Sequence, residues 1–250
     1  MIIEHTMHPK WLSNTYLVAD RPGGHGVFID TGADPEPLLG LIRDKGIEVT
    51  HVICTHRHID HVWHNAVVVE ATGARLAVHV DDADHVRGTN ERLRHGHRIT
   101  SGDLDIEVLH IPGHTAGQIA LLVDKTDVFT GDTLFSGSIG GCVGPGHTSF
   151  ADLRHSLMEI LFRLPAKTRV HPGHAEPTSI EREWEENPFI RIMRGIEPRG
   201  DTPCRVRGEP ATLVLRAPDY DGGTKAWIHM EEMGDLIVPG SVVEGDDIDG

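Results

Sequence analysis

The segment Thr55-His56-Arg57-His58-Ile59-Asp60-His61 places three imidazoles and a carboxylate within six residues, directly after the apolar run Val49 to Cys54. Neutral imidazole and carboxylate are donors suited to Zn²⁺, Fe²⁺ or Mn²⁺, and few other uses demand them at this density. If Val49 to Thr55 is a strand, His56 and His58 project to one side by the two-residue alternation, and Asp60 and His61 follow where the chain turns. Two pairs of donors then leave one strand end, enough to begin two adjacent metal sites. A chain with 19 histidines could produce such a spot by chance or as a solvated turn, but three further segments weigh against that. His114 lies in Ile111-Pro112-Gly113-His114-Thr115, Asp132 in Phe129-Thr130-Gly131-Asp132-Thr133, and His174 in Val170-His171-Pro172-Gly173-His174. Each follows an apolar, β-like run and stands beside glycine, as expected of donors on loops at strand ends.

Through Thr55-His56-x-His58-x-Asp60-His61, Pro112-Gly113-His114-Thr115, Gly131-Asp132-Thr133-Leu134-Phe135 and Pro172-Gly173-His174, the sequence resembles the metallo-β-lactamase-fold hydrolases from about Met1 to Met193. The last two blocks look most like the glyoxalase II (hydroxyacylglutathione hydrolase) branch. The resemblance implies that His56, His58 and His114 hold one metal, that Asp60, His61 and His174 hold a second, and that Asp132 bridges both. Two divalent ions are therefore the expected cofactors, Zn first, with Fe or Mn possible. Asp30, in Ile29-Asp30-Thr31-Gly32, resembles the family aspartate that supports a metal histidine by hydrogen bonding, and reads equally well as a turn former. The activity implied is hydrolysis of a small-molecule thioester or activated ester by a metal-bridging hydroxide, with Asp60 both a ligand and the catalytic proton acceptor.

Other readings share these residues. A persulfide dioxygenase-type oxidoreductase would hold one iron through His56, His114 and Asp132, although Thr133-Leu134-Phe135 looks like the glyoxalase II version. A lactonase would use the same hydroxide on an ester. A cysteine-using β-lactamase is disfavoured because Asp132 stands where that cysteine would fall, and a non-catalytic module would more often show decayed ligands. Two departures from glyoxalase II argue against specific glutathione recognition. No long helical region follows the last metal histidine, and Ser136 to Gly144 carries Gly140-Gly141 where relatives usually have an arginine. The two tyrosines, Tyr16 and Tyr220, are both remote from the motif loops in sequence.

Strands are predicted at Asn14 to Ala19, Gly26 to Thr31, Val49 to Thr55, Arg75 to Val80, Leu104 to Ile111, Gln118 to Val123, Asp127 to Thr130 and Thr168 to His171. Helices are predicted at Pro35 to Lys45, with Gly46 past its end, and at His61 to Thr72. A third is capped by Ser149 and stopped by Pro165, and a fourth begins near Thr178 with a capping-box pattern and ends before Pro188. Strands mixed with helices imply layers, and the resemblance makes the fold class α+β, a four-layer αβ/βα sandwich with the metals at one edge. Residues 1–195 are assigned to this catalytic domain. Residues 196–250 read as a small β appendage, with strands at Thr212 to Arg216, Ala226 to Met230 and Leu236 to Val238 and a frayed acidic tail from Glu244.

A length of 250 residues and 38% apolar content suit one sizeable core. A formal charge of −15 counts against nucleic acid, whose phosphates require a basic patch, and no inserted domain of the kind nuclease relatives carry fits between the motifs. No long apolar run predicts a membrane span, and the N-terminus lacks the order of a signal peptide, so a cytoplasmic protein is expected. Cys54, Cys142 and Cys204 fit a reducing compartment and are read as structural or spectator thiols. Among the remaining histidines, His64 and His147 could line a cleft. His171 belongs to a strand, and His51, His79, His95, His97 and His110 are read as structural or solvent-facing.

Overall fold

The computed structural model describes residues 1–245. The first sheet contains β1 (Ile2–Met7), β2 (Asn14–Ala19), β3 (His25–Ile29), β4 (Glu48–Ile53), β5 (Arg75–His79) and β6 (Glu91–Leu93), in that spatial order. Pairing is antiparallel across β1, β2 and β3 and parallel from β3 to β6. The parallel pairs need crossovers: helix α1 (Glu36–Lys45) joins β3 to β4, the pair α2 (Ile59–Val62) and α3 (Asn65–Thr72) joins β4 to β5, and a segment with one short turn at Ala83–His85 joins β5 to β6.

The second sheet is built from β7 (Arg98–Ser101), β8 (Leu104–His110), β9 (Ile119–Val123) and β10 (Asp127–Gly131). Beyond a hairpin of β11 (Leu134–Phe135) and β12 (Ser138–Ile139), β13 (Arg169–Pro172) and β14 (Thr178–Ser179) complete it in the order β14-β13-β10-β9-β8-β7. Its outer face is covered by α4 (Phe150–His155), α5 (Ile180–Glu186) and α6 (Pro188–Met193).

Strand alternation divides the apolar side chains among three layers of contact. Tyr16, Val18, Ile53, Val108, Leu121 and Phe129 meet between the two sheets. Leu17, Val52 and Cys54 face α1 and α3, whereas Val128 and Val170 face the helices of the second sheet. This is the α+β, αβ/βα sandwich of the metallo-β-lactamase fold.

The predicted strands recur within two residues at each end, except that the one expected from Thr212 begins at Glu209, and several other elements differ. The strand before the histidine motif ends at Ile53, and the helix after it starts at Ile59 and breaks at Trp63 and His64. The break has a cause outside the helix: the His64 backbone N–H donates to the Thr31 carbonyl (3.0 Å) and Thr31 N–H to the His61 carbonyl (2.7 Å), so the loop after β3 replaces part of the helical ladder. The fourth helix is capped by Ser179, whose hydroxyl accepts from Arg182 N–H at 3.2 Å. Thr178 instead spends its hydroxyl on Glu183 (2.6 Å). After Pro188 the chain re-enters a helix, because Asn187 caps α6 by accepting from the N–H groups of Phe189 and Ile190.

The C-terminal segment forms a five-stranded antiparallel sheet of β15 (Thr202–Val206), β16 (Glu209–Pro218), β17 (Thr224–Met230), β18 (Gly234–Pro239) and β19 (Val243–Glu244). It buries Cys204, Ile228 and Val238 in its own core and presents Val214, Trp227 and Ile237 to Leu134, Ile139, Cys142 and Leu153 of the main body. Glu244, read from sequence as the start of the tail, pairs with Arg205 in β19; residues 246–250 lie outside the described residues.

Candidate metal centre

The loops after β4, β8, β10 and β13 all open at one edge of the sandwich and bring the seven sequence-predicted donors together. The ligand atoms of His56, His58 and His114 lie within 4.8 Å of one another, as do those of His56, His61 and Asp132, and those of Asp60, His61 and His174. Asp132 stands between the groups, its Oδ2 3.5 Å from His114 Nε2 and 3.2 Å from His174 Nε2, and its Oδ1 3.3 Å from His61 Nε2. Asp60 Oδ2 is 3.4 Å from His174 Nε2 and 3.6 Å from His61 Nε2.

Each of the five imidazoles has its other ring nitrogen engaged. His58 Nε2 lies 2.9 Å from the Pro145 carbonyl, His114 Nδ1 2.8 Å from that of Gly141, and His174 Nδ1 2.8 Å from that of Trp11. A carbonyl can only accept, so those nitrogens carry the proton and the inward ones offer a lone pair. His61 Nδ1 donates to Asp30 Oδ2 at 2.8 Å. Asp30 also accepts from Thr55 N–H and from the Thr55 hydroxyl, both at 2.7 Å, and that hydroxyl oxygen lies 3.1 Å from His56 Nδ1. With the hydroxyl proton committed to Asp30, His56 Nδ1–H donates to Thr55 and His56 Nε2 faces the cluster. One buried carboxylate thereby sets the tautomers of two histidines.

The convergence makes sense only around positive charge. His58 Nδ1 and His114 Nε2 face each other at 2.9 Å, and His61 Nε2 and His174 Nε2 at 3.2 Å, lone pair against lone pair. His56 Nε2 and Asp132 Oδ1 are buried with no hydrogen-bond partner, an arrangement too costly to leave unmatched. Donors of these types at these separations fit divalent metal ions. Protonation tendencies agree. Burial, and secondarily its histidine neighbours, hold His56 well below the usual imidazole range, and burial pushes His114 down to about 4, so both are neutral donors. Burial opposes ionisation of Asp132, but His174 and His61 outweigh it and keep the carboxyl well below its usual range. His61 is drawn the other way: burial disfavours its cation, yet Asp132 and Asp30 raise it well above the usual value.

The glycines beside the donors have steric reasons. A Cβ on Gly173 would stand 2.3 Å from Asp132 Oδ1 and 2.8 Å from the His61 ring, and one on Gly32 would stand 1.5 Å from the Asp60 carbonyl oxygen. Asp30 itself sits at φ +53°, a left-handed conformation a non-glycine residue adopts at some cost and which its three hydrogen bonds sustain.

Other histidines lie elsewhere. His64 contacts the Thr31 carbonyl, His147 that of Gly144, and His171 the Asp127 carboxylate. His79, Asp81 and His110 form a separate group, but its rings stack 4.0 Å apart at 14°, so their in-plane lone pairs run side by side instead of converging. Cys142 is buried, its Sγ accepting from Ile237 N–H at 3.2 Å, and burial raises its pKa, which agrees with a spectator thiol.

Tyr220, remote in sequence from every motif, is the site residue that sequence reasoning missed. Its ring stacks on His174 (4.4 Å between centroids, 20°) and packs on Phe135 at 4.8 Å. Burial, then the nearby carboxylates led by Asp132, push its phenol pKa upward, so the hydroxyl stays protonated. The loop is fastened by Asp219, which accepts from Ser138 Oγ at 2.8 Å and pairs with Lys225 Nζ at 2.9 Å. A cavity of about 550 Å³ runs between His114 and the C-terminal sheet, lined by Tyr220, Arg216 and Lys225 among others. The nearest sequence signal was Asp219-Tyr220-Asp221-Gly222-Gly223, a turn with an aromatic at its centre.

Among the described residues no helix is long and apolar enough to cross a membrane. The metallo-beta-lactamase superfamily model matches residues 8–174. A hydroxyacylglutathione hydrolase of Polaromonas sp. is 35% identical over 182 residues, covering 70% of this chain and 66% of its own. Among solved structures, ETHE1 from Myxococcus xanthus is 32% identical with a TM-score of 0.68, over 79% of this chain and 92% of its own. TTHA1623, solved in a di-iron-bound form, is 33% identical with a TM-score of 0.64, over 76% of this chain and all (100%) of its own.

Proposed function

Because the chain belongs to the metallo-β-lactamase superfamily, we propose that its convergent donors hold two divalent metal ions and that it hydrolyses a small-molecule thioester or activated ester. The observation that carries this reading is the tautomer-locked ring of five imidazoles whose free nitrogens meet two carboxylates. His56, His58 and His114 would hold one ion, Asp60, His61 and His174 the other, and Asp132 both. Zinc and iron both suit this donor set, and a relative solved with two irons supports the latter.

Bound ions of this kind supply Lewis acidity at a carbonyl oxygen and a water ionised near neutral pH. The protein's own groups do the rest. Asp60, the more exposed of the two carboxylates at 24% against 8% for Asp132, takes up a proton and passes it to solvent. Asp30 and Thr55 hold His61 and His56 in the orientation that keeps their lone pairs inward. Tyr220, which lines the same cavity as His114, donates its hydroxyl hydrogen to a substrate oxygen. The main body through residue 195 thus carries the metal donors, and the sheet from 196 onward closes the substrate cavity and contributes Tyr220 to it.

A one-iron persulfide dioxygenase is the second reading, since His56, His114 and Asp132 also converge in pairs within ligand distance of each other. Metal analysis combined with a panel of thioesters, lactones and persulfides separates the two. Two metals and hydrolysis without oxygen uptake support the hydrolase, whereas one iron with oxygen uptake supports the dioxygenase. Hydrolysis that survives complete removal of metal by a chelator refutes a metal-dependent mechanism.

A further inference from the structure

Directly beside the donors the surface turns apolar. Ile59, between His58 and Asp60, is 55% exposed, and Trp63, two residues after His61, is 58% exposed. Trp63 meets Trp11 edge-on at 5.9 Å, and the Trp11 carbonyl is the one that holds His174. From this rim a groove of about 720 Å³ descends along α2 and α3, lined mainly by apolar side chains such as Ile59, Val62, Trp63, Ala66 and Leu76, with Glu70 and Arg87 also on its wall. Its floor is deep, Leu76 being only 2% exposed, while its upper lip stands in solvent. Large apolar side chains grouped on a surface mark binding, and a groove with raised aromatic lips fits a flexible chain better than a flat protein face. A net charge of −15 opposes docking on an anionic lipid surface.

We infer that this groove seats the acyl chain of the substrate, so that the thioester or ester carries a long, unbranched hydrocarbon tail with its carbonyl at the donor cluster. This rests on the hydrolase reading and names its substrate class. Continuity with the site is the argument: the groove begins at Ile59, the residue separating donors His58 and Asp60, and runs along both α2 and α3 as far as Val69 and Glu70. Short acyl groups leave it empty.

The test uses the metal-loaded full chain and a series of S-acyl-N-acetylcysteamine thioesters from acetyl to tetradecanoyl. The expected result is a rise in kcat/KM of about two- to four-fold per added methylene, ending when the tail outruns the groove. Ala66→Glu, on an exposed helix position, should flatten that slope, read as the decanoyl-to-acetyl ratio within each variant. Hydrolysis with a flat chain-length profile overturns the inference and leaves the hydrolase intact, as does a slope that Ala66→Glu leaves unchanged. If no member of the series is hydrolysed, the hydrolase reading fails. Decanoate titration then judges the groove alone: tryptophan emission that shifts in wild type but not in Trp63→Phe supports it, and no shift overturns it.

Discussion

Asp30→Asn tests the tautomer-setting carboxylate with almost no change of shape. In the native arrangement Asp30 accepts from Thr55 N–H, the Thr55 hydroxyl and His61 Nδ1–H. An asparagine amide can be placed in two ways. With its NH₂ towards His61 and the Thr55 hydroxyl, it donates to both. His61 Nδ1 then loses its proton to Nε2, and the Thr55 hydroxyl turns to donate to His56 Nδ1, so both metal-facing nitrogens become donors instead of ligands. With the amide flipped, the tautomers survive, but NH₂ opposes Thr55 N–H and leaves a buried donor unpaired, at a cost of about 1–3 kcal/mol. The apo protein will take the first arrangement and the metal-loaded protein the second, so the flip is charged to metal binding. Affinity should fall by roughly 5- to 160-fold, the factor that 1–3 kcal/mol represents, while thermal unfolding of the apo protein stays near wild type. Competition against a chromophoric chelator measures the first and calorimetry the second. Wild-type metal affinity in a folded Asp30→Asn protein would refute the reasoning.

Asp132→Ala should be the most damaging single ligand change, because its carboxylate lies beside His114 of one donor group and His61 and His174 of the other; a variant that holds two metals with normal turnover contradicts the bridging role. Tyr220→Phe keeps the ring on His174 and should retain metal while losing about 10²-fold or more in kcat. Tyr220→Ala should also weaken metal binding, and equal activity of wild type and Phe variant would remove the hydroxyl from the mechanism. Burial, helped by His110, pushes His79 to about 4, whereas an unfolded histidine takes up its proton near 6.5. Between those values the unfolded chain binds more protons, so this contribution to stability is complete above about pH 6.5 and is lost as pH falls towards 4. His79→Gln should therefore flatten the urea-midpoint profile in that window, and a profile as steep as wild type's counts against it.

Short apolar runs bounded by turn chemistry were enough to locate most strands, because a strand such as Tyr16 to Ala19 is buried on both faces and so reads as continuously apolar. Elements decided by distant partners were less legible. The helix break at Trp63 depends on Thr31, and the edge strands β1, β6 and β7, like β15 inside the C-terminal sheet, carry too little apolar pattern to stand out. Asp30, ambiguous between turn former and supporting group from its local sequence, is shown by its three partners to be a buried acceptor.

By itself, the sequence determined the donor inventory. Imidazoles and carboxylates beside glycines at strand ends are a matter of residue type and spacing, and metal chemistry constrains both tightly. The tertiary structure alone decided which nitrogen of each ring points inward, because the acceptors that hold the others come from remote loops: Pro145, Gly141, Trp11 and Asp30. It also decided what surrounds the donors. Tyr220 comes within 4.4 Å of His174 across 46 residues, and the apolar groove lies between helix α3 and Val86, with Leu76 as its floor. Such placements depend on how separate elements pack, and packing of elements distant in sequence leaves no periodic trace in the chain.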